Sequence, residues 1–160
     1  MKKSSEEKTN VMRLLEQKKL PYEMRTYADT NAVSGIEVAT VLGQDPACVF
    51  KTLVTQGASK QYHVFMIPVA EELDLKKAAK AVGEKSIAMI KSKELLPLTG
   101  YIHGGCSPIG MKKRFPTVIH ESANNFERIF FSAGKIGYQV YAAPEVVSEF
   151  VDMKFADVIV

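Results

Sequence analysis

Residues 100–114 read Gly-Tyr-Ile-His-Gly-Gly-Cys-Ser-Pro-Ile-Gly-Met-Lys-Lys-Arg, a spacing of glycine and proline that neither a helix interior nor a central strand tolerates. This stretch is therefore predicted to be a loop. Gly104 and Gly105 can adopt backbone angles closed to other residues and let a ligand approach the main chain. The N–H groups of Cys106 and Ser107 follow, and free N–H groups in such a turn form a concave site for a negatively charged oxygen.

Three consecutive cations, residues 112–114, follow the glycines and suit phosphate. The alternative is a tight turn between two strands that ends in a solvated basic segment, and both interpretations stay open.

Gly105 and Gly110 have the G-x-x-x-x-G spacing of a phosphate-binding loop. However, Met111 occupies the position of the lysine, and no serine or threonine follows to hold magnesium, so nucleotide hydrolysis is disfavoured.

The length and composition indicate one soluble globular domain over residues 1–160. The chain has 160 residues, of which 46% are hydrophobic and 24% charged. No apolar run approaches the roughly 20 residues that span a bilayer, and the N-terminus lacks the apolar core of a signal peptide. We therefore expect a cytoplasmic protein that does not bind membranes. The net charge of +3 permits a polyanionic partner without requiring one.

The cysteines and histidines have no metal-ligand spacing. Cys48 and Cys106 are far apart and form no C-x-x-C pair, so a disulfide scaffold or a four-ligand zinc site is disfavoured. The three histidines are scattered along the chain. We expect neither a metal nor an organic cofactor.

Local signals predict an alternation of helices and strands without regular βαβ units. A first helix is expected after a cap at Ser4 or Ser5, with Glu6 and Glu7 in its first turn. A second is expected from the capping box Ser34/Glu37 to Gly43, and a third over residues 75–82 after the cap Asp74. Two more are expected to begin at Ser92, ending at Pro97, and at Pro144. Strands are expected at residues 22–27, 49–55, 62–69, 117–120, 128–132, 138–142 and 155–160, with a short apolar segment at 87–90. The predicted class is α+β, with a mixed, curved, barrel-like sheet surrounded by helices.

Lys51 is a single cation in the otherwise apolar strand Val-Phe-Lys-Thr-Leu-Val of residues 49–54. A lysine is costly to bury without a partner. One interpretation lays its aliphatic stem along the sheet with the ammonium in water. The other places the ammonium in a cleft, facing a carbonyl, carboxylate or phosphate oxygen.

No protein nucleophile is apparent. Cys106 could pair with His103 or His120, but the flanking signature of a thiol protease is missing. Ser107 lacks the G-x-S-x-G elbow of a hydrolase, and no pair of carboxylates marks a glycosidase. Oxyanion donors and a lysine without a nucleophile fit a reaction in which the substrate or water attacks and the protein supplies electrostatics.

Several segments together resemble the YbaK/EbsC family, and the resemblance runs from Tyr27 to the C-terminus. They are Val-Phe-Lys-Thr-Leu at residues 49–53, Leu-Asp-Leu-Lys-Lys-Ala-Ala-Lys at 73–80, Gly-Tyr at 100–101 with Gly-Gly-Cys-Ser-Pro-Ile-Gly at 104–110, Ser-Ala-Gly-Lys at 132–135 and Lys-Phe-Ala-Asp at 154–157. This family is related to the editing domain of bacterial prolyl-tRNA synthetases, and its YbaK members are Cys-tRNA(Pro) deacylases with a mixed barrel-like sheet.

The resemblance also implies the residues of the site. Lys51 and Gly104 would be catalytic, Gly104 through a backbone position that faces the scissile ester. The implied substrate-binding residues are Tyr27, Thr52, Gly105, Cys106, Ser107, Pro108, Gly110, Ser132, Gly134, Lys135 and Gln139. One departure concerns the seventh position after the serine, where YbaK members commonly carry Asp and this chain carries Gln139. A carboxylate that could pair with the substrate amino group is missing there.

The activity implied by the resemblance is removal of cysteine from mischarged Cys-tRNA(Pro) in trans, with the substrate thiol attacking its own ester. The acceptor end of the tRNA would enter the site, guided by basic side chains and by stacking on an aromatic such as Tyr27. Two alternatives remain, a deacylase for alanine or serine and a non-enzymatic EbsC-like regulator that binds a nucleotide or aminoacyl end. The expected partners are mischarged tRNA and prolyl-tRNA synthetase, and we expect a monomer.

Overall fold

The computed structural model describes residues 8–160. The helices are α1 (Asn10–Gln17), α2 (Gly35–Leu42), α3 (Leu75–Val82) and α4 (Ser92–Thr99), and short 3₁₀ helices cover Pro46–Cys48, Glu121–Asn125 and Pro144–Glu149. The strands are β1 (Glu23–Thr26), β2 (Phe50–Gly57), β3 (Tyr62–Pro68), β4 (Ile87–Met89), β5 (Thr117–His120), β6 (Ile129–Ser132), β7 (Tyr138–Ala142) and β8 (Met153–Ala156). No helix within residues 8–160 is long and apolar enough to cross a membrane.

The strands of the described chain form two sheets, which confirms a mixed α+β fold. One has the order β1-β7-β6 and is antiparallel; the other has the order β4-β2-β3-β5-β8. In the larger sheet β2 and β3 form the predicted hairpin, with Lys51 opposite Ile67, while the β3–β5 and β5–β8 pairs are parallel. A parallel bridge between Val49 and Phe130 links the two sheets. The architecture is therefore two joined sheets with no closed barrel among the described strands.

The main core lies between the sheets and explains the long apolar run of β3. Met66 and Phe131 belong to this core, together with Leu15 of α1. On the opposite face of β3, Phe65 packs against Ala78 of α3 in a second core. Because both faces of β3 are covered, its sequence is almost continuously hydrophobic instead of alternating.

Helix caps follow the local sequence closely. Ser34 and Glu37 form the predicted capping box, and Gly43 ends α2 in the left-handed region at φ 66°. The Asp74 carboxylate accepts hydrogen bonds from the first turn of α3. The predicted caps Ser4 and Ser5, with Glu6 and Glu7, lie outside the described residues. Within them α1 is capped by Thr9, whose side chain accepts from the Met12 N–H.

Three boundaries differ from the prediction. Helix α4 continues through Pro97 to Thr99, because a proline removes one N–H and its hydrogen bond but does not always end a helix; near its end the Thr99 hydroxyl donates to the Leu95 carbonyl at 2.7 Å. Pro144 begins a 3₁₀ helix instead of an α-helix. The last strand is residues 153–156, earlier than predicted, because β8 pairs in parallel with β5 over that range; residue 159 makes only an isolated bridge.

Candidate functional site

A cleft of about 710 Å³ opens beside the junction of the two sheets. Its walls are the start of α2, the first half of β2, the entry to α4, the 100–114 loop and the adjoining ends of β6 and β7. The volume is in the usual range for a small-molecule site. The cleft is therefore lined by segments that are far apart in sequence.

The cleft brings together about half of the site residues that the sequence predicts. Those that line it are Lys51, Gly104, Tyr27, Thr52, Cys106, Ser132 and Gln139. Those that do not line it are Gly105, Ser107, Pro108, Gly110, Gly134 and Lys135.

Lys51 and Thr52 are adjacent on β2 and both line the cleft. The Lys51 side chain is partly exposed, and its ammonium has no hydrogen bond or ion pair with any residue in 8–160. The Thr52 hydroxyl oxygen is buried and has no hydrogen-bond partner within the described chain. Buried polar groups in native proteins nearly always have a partner, so this hydroxyl is suited to a bound ligand.

The 100–114 loop presents backbone to the same cleft. Gly104 has φ +90°, which only glycine adopts readily. Gly105 lies behind it, where an added Cβ would come within 3.1 Å of the Ile136 nitrogen. The Gly105 N–H donates to the Ile102 carbonyl, whereas the buried Cys106 N–H has no partner among residues 8–160. The Cys106 N–H is thus a candidate donor for a ligand oxygen.

Two of the predicted glycines pack against a ring instead of the cleft. A Cβ on Gly110 would lie 2.7 Å from the Tyr101 hydroxyl, and one on Gly134 would lie 3.0 Å from the same ring. The Tyr101 hydroxyl donates to the Ile109 carbonyl at 2.6 Å. These glycines therefore make room for Tyr101, which fixes the far end of the loop.

The basic run at residues 112–114 does not line the cleft, which favours the second of the two interpretations left open by the sequence, a solvated basic segment. Lys112 lies along Gly100, and Arg114 lines a separate cavity of about 380 Å³ beside residues 148–152. The cation that sequence reasoning missed is Lys91, which lines the cleft just before α4. The one signal for Lys91 in the sequence was its position directly before Ser92, where a helix was predicted to begin.

The mouth of the cleft is aliphatic. Val33, Ile36, Met89 and Ile136 all line it and are exposed by 79%, 48%, 47% and 50%. Exposed apolar groups gathered at one place often mark a binding surface. Tyr27 is only 7% exposed, so its ring does not form the open stacking platform that was expected.

The thiols are not poised for nucleophilic attack. Burial raises the pKa of the Cys106 thiol to about 12. The pKa of Cys48 is also raised, by burial first and by the nearby Asp45 charge second. Both remain protonated at neutral pH, and the thiolate is the reactive form. Within residues 8–160 no group of three or more ligating side chains could hold a metal ion.

Cys106→Ala is therefore expected to retain most activity. The thiol is protonated, while the backbone N–H at this position is kept. Single-turnover rates of the parent and the variant, with the aminoacyl-tRNA substrate that the family resemblance implies, measure the effect. A loss of more than about a hundredfold in a folded variant would revive a thiol-enzyme mechanism.

Known proteins match both the sequence and the fold. The profile of a family described as "Aminoacyl-tRNA editing domain" matches residues 29–150. A protein of Enterococcus faecalis (strain ATCC 700802 / V583), described as a candidate Cys-tRNA(Pro)/Cys-tRNA(Cys) deacylase EbsC, is 46% identical over 158 residues, covering 98% of this chain and 96% of that protein. A solved structure described as a candidate trans-editing enzyme for prolyl tRNA synthetase has a TM-score of 0.79 at 24% identity, covering 94% of each chain. The hypothetical protein APE2540 has a TM-score of 0.83 at 17% identity, covering 95% of this chain and all of its own.

The chain belongs to the aminoacyl-tRNA editing domain family, since the profile match spans most of its length, and its class is that of the aminoacyl-tRNA deacylases. Within that class it is a member of the YbaK/EbsC group, because the EbsC relative is similar over nearly the whole chain. The resemblance drawn from the sequence is thus confirmed.

Proposed function

We propose that this protein removes cysteine from mischarged Cys-tRNA(Pro) in trans. The observation that carries the proposal is a cleft with an unpaired ammonium on Lys51, an unpartnered Thr52 hydroxyl and a free Cys106 N–H. These groups can bind and stabilise an ester under attack, yet the cleft offers no ionised thiol of the protein. Such a site suits a substrate that carries its own nucleophile, and cysteine does.

The proposed chemistry begins with the substrate thiol, which forms a bond to its own ester carbonyl carbon. The carbonyl oxygen gains negative charge, the bond to the ribose oxygen then breaks, and the thiol proton ends on that ribose oxygen. The cyclic thioester released is hydrolysed by water. Lys51 and the backbone around Gly104 would stabilise the developing charge, and each such interaction is typically worth about 3 kcal/mol.

A second site is needed because a synthetase pocket for proline cannot reject a side chain of similar size strongly. One methylene of difference is worth only about 1–3 kcal/mol in a hydrophobic pocket. Removing the wrong amino acid after charging supplies the remaining selectivity. We propose that the whole chain acts as one editing domain in the cytoplasm, where it meets tRNA and prolyl-tRNA synthetase.

The acceptor end of the tRNA would enter at the aliphatic mouth. Met89 and Ile136 can contact the faces of the terminal base, while Lys51 and Lys91 provide positive charge for the terminal phosphate and ribose. Aliphatic contact replaces the aromatic stacking on Tyr27 that the sequence suggested, because that ring is buried.

The proposal is tested by turnover of Cys-tRNA(Pro), Ala-tRNA(Pro) and Ser-tRNA(Ala) by the purified protein. Preference for the first supports cysteine editing. Preference for either of the others assigns a different deacylase specificity. Binding of all three without turnover would make the protein a regulator and contradict the proposal.

A substitution at Gln139 provides a separate test of how the site recognises the amino group of the substrate. Gln139→Asp places a carboxylate on β7 inside the cleft and is expected to favour substrates with a free amino group. The measurement is the ratio of deacylation rates for Cys-tRNA(Pro) and its N-acetylated form, in the parent and in the variant. An unchanged ratio would mean that position 139 does not face the amino group.

A further inference from the structure

The cleft contains one carboxylate within the described chain, that of Glu37 at the start of α2. It was recognised in the sequence only as the third residue of a capping box. One of its oxygens, Oε1, accepts hydrogen bonds from the N–H groups of Ser34 at 2.9 Å and Val33 at 3.1 Å. The Ser34 side chain also interacts with the carboxylate, but no cation within residues 8–160 forms an ion pair with it.

The carboxylate is ionised at neutral pH. Hydrogen bonds from the backbone N–H of Ser34, and then from that of Val33, hold the pKa of Glu37 below its usual range. The side chain is exposed at the cleft wall, so the capping bonds fix it in place without burying it. The cap therefore presents an ionised carboxylate, with no cationic partner within residues 8–160, to whatever occupies the cleft.

Gln139 cannot supply this charge, and its amide is already paired with that of Gln44. Its Oε1 accepts from Gln44 Nε2 at 2.8 Å, and its Nε2 donates to Gln44 Oε1 at 3.3 Å. A primary amide has two N–H groups and two lone pairs, so this reciprocal pair uses half of its capacity. The Gln44 backbone N–H is bonded to the Ala39 carbonyl just after α2 ends, which holds the pair in position.

We propose that Glu37 is the specificity residue that binds the α-ammonium group of the aminoacyl moiety. This rests on the proposed deacylase function of the cleft. The other charged groups that line the cleft within residues 8–160, apart from the exposed imidazole of His103, are Lys51 and Lys91. Both lysines repel an ammonium group, so among these charged groups only Glu37 attracts it. Glu37 would thus orient the amino group of the substrate, while Lys51 would interact with the ester.

The test distinguishes the effect of the negative charge of Glu37 from the effect of its contribution to the helix cap. Glu37→Gln keeps the capping box, because Gln serves at this position as well as Glu, but it removes the negative charge. We expect deacylation of Cys-tRNA(Pro) to fall by up to about fivefold, the upper end of the range for an exposed ion pair, with no change for the N-acetylated substrate. A simple loss of the helix cap would slow both substrates alike.

A matched control is available in α4. Glu94 also caps its helix, accepting from the Lys91 N–H at 2.8 Å, but it does not line the cleft. Glu94→Gln should leave both rates unchanged. In the Glu37→Gln background, Gln139→Asp should restore the preference for the free amino group by returning a carboxylate to the cleft.

Three results would overturn the assignment of Glu37. They are equal loss for both substrates, no change for either, and an equal effect of Glu94→Gln on the ratio. If the parent prefers another aminoacyl-tRNA, the same ratio is measured with that substrate and its N-acetylated form. A parent that deacylates no substrate would refute the proposed function itself, which distinguishes that failure from a failure at Glu37.

Discussion

Lys51→Ala is expected to reduce single-turnover deacylation by a hundredfold or more while the melting temperature changes by only a few degrees. The Lys51 side chain lines the cleft and its ammonium has no partner among the described residues, so under the proposed mechanism its loss would remove charge stabilisation from the transition state. One such interaction is worth on the order of 3 kcal/mol, which is about a hundredfold in rate. The side chain is partly exposed and belongs to no core cluster, so its removal leaves no large cavity.

Two further variants make the Lys51 result specific. Lys51→Arg should also be slow, because the planar guanidinium is bulkier and directs its hydrogen bonds differently. Lys93→Ala removes a cation near the cleft that does not line it, and should retain the parental rate. Normal turnover by Lys51→Ala would exclude a catalytic role, and unfolding of this variant would make Lys51 a structural residue.

Gly104→Val is expected to lower activity at least a hundredfold. The residue has φ +90° and lines the cleft, whereas a β-branched side chain is strained at positive φ and would project a new group beside the ester. A backbone shift of about 1 Å at a reacting centre can alone cost about a hundredfold. Gly105→Val should act similarly, because its Cβ would lie 3.1 Å from the Ile136 backbone nitrogen.

Gly83→Val is the matched control for backbone strain. Gly83 has φ +72° at the end of α3, with no atom within 4 Å of an added Cβ, and it does not line the cleft. It should lose stability by about 1–3 kcal/mol yet deacylate at the parental rate. Thermal melts and single-turnover rates on the same samples make the comparison. If a folded Gly104→Val protein turned over substrate at the parental rate, the 100–114 loop would be an ordinary turn with no catalytic role.

Local chemistry accounts for the elements that the sequence predicted well. The Ser34/Glu37 box and the glycine after it mark both ends of α2, because these signals act within one turn of helix. The β2–β3 hairpin follows from two apolar runs around a short turn. The prediction ended helix α4 too early at Pro97, because a proline removes one backbone hydrogen bond without necessarily ending the helix.

The sequence by itself determined the family, the α+β class and the loop at residues 100–114, and it identified Lys51 and Gly104 as candidate site residues. These depend on residue types and short spacings. Only the tertiary structure decided which groups share the cleft. It brought in Lys91, the aliphatic mouth and the Glu37 carboxylate, and it left residues 112–114 outside. The physical reason is that the cleft forms where two sheets and the start of α2 meet. Side chains from distant segments are neighbours there through packing that no local pattern encodes.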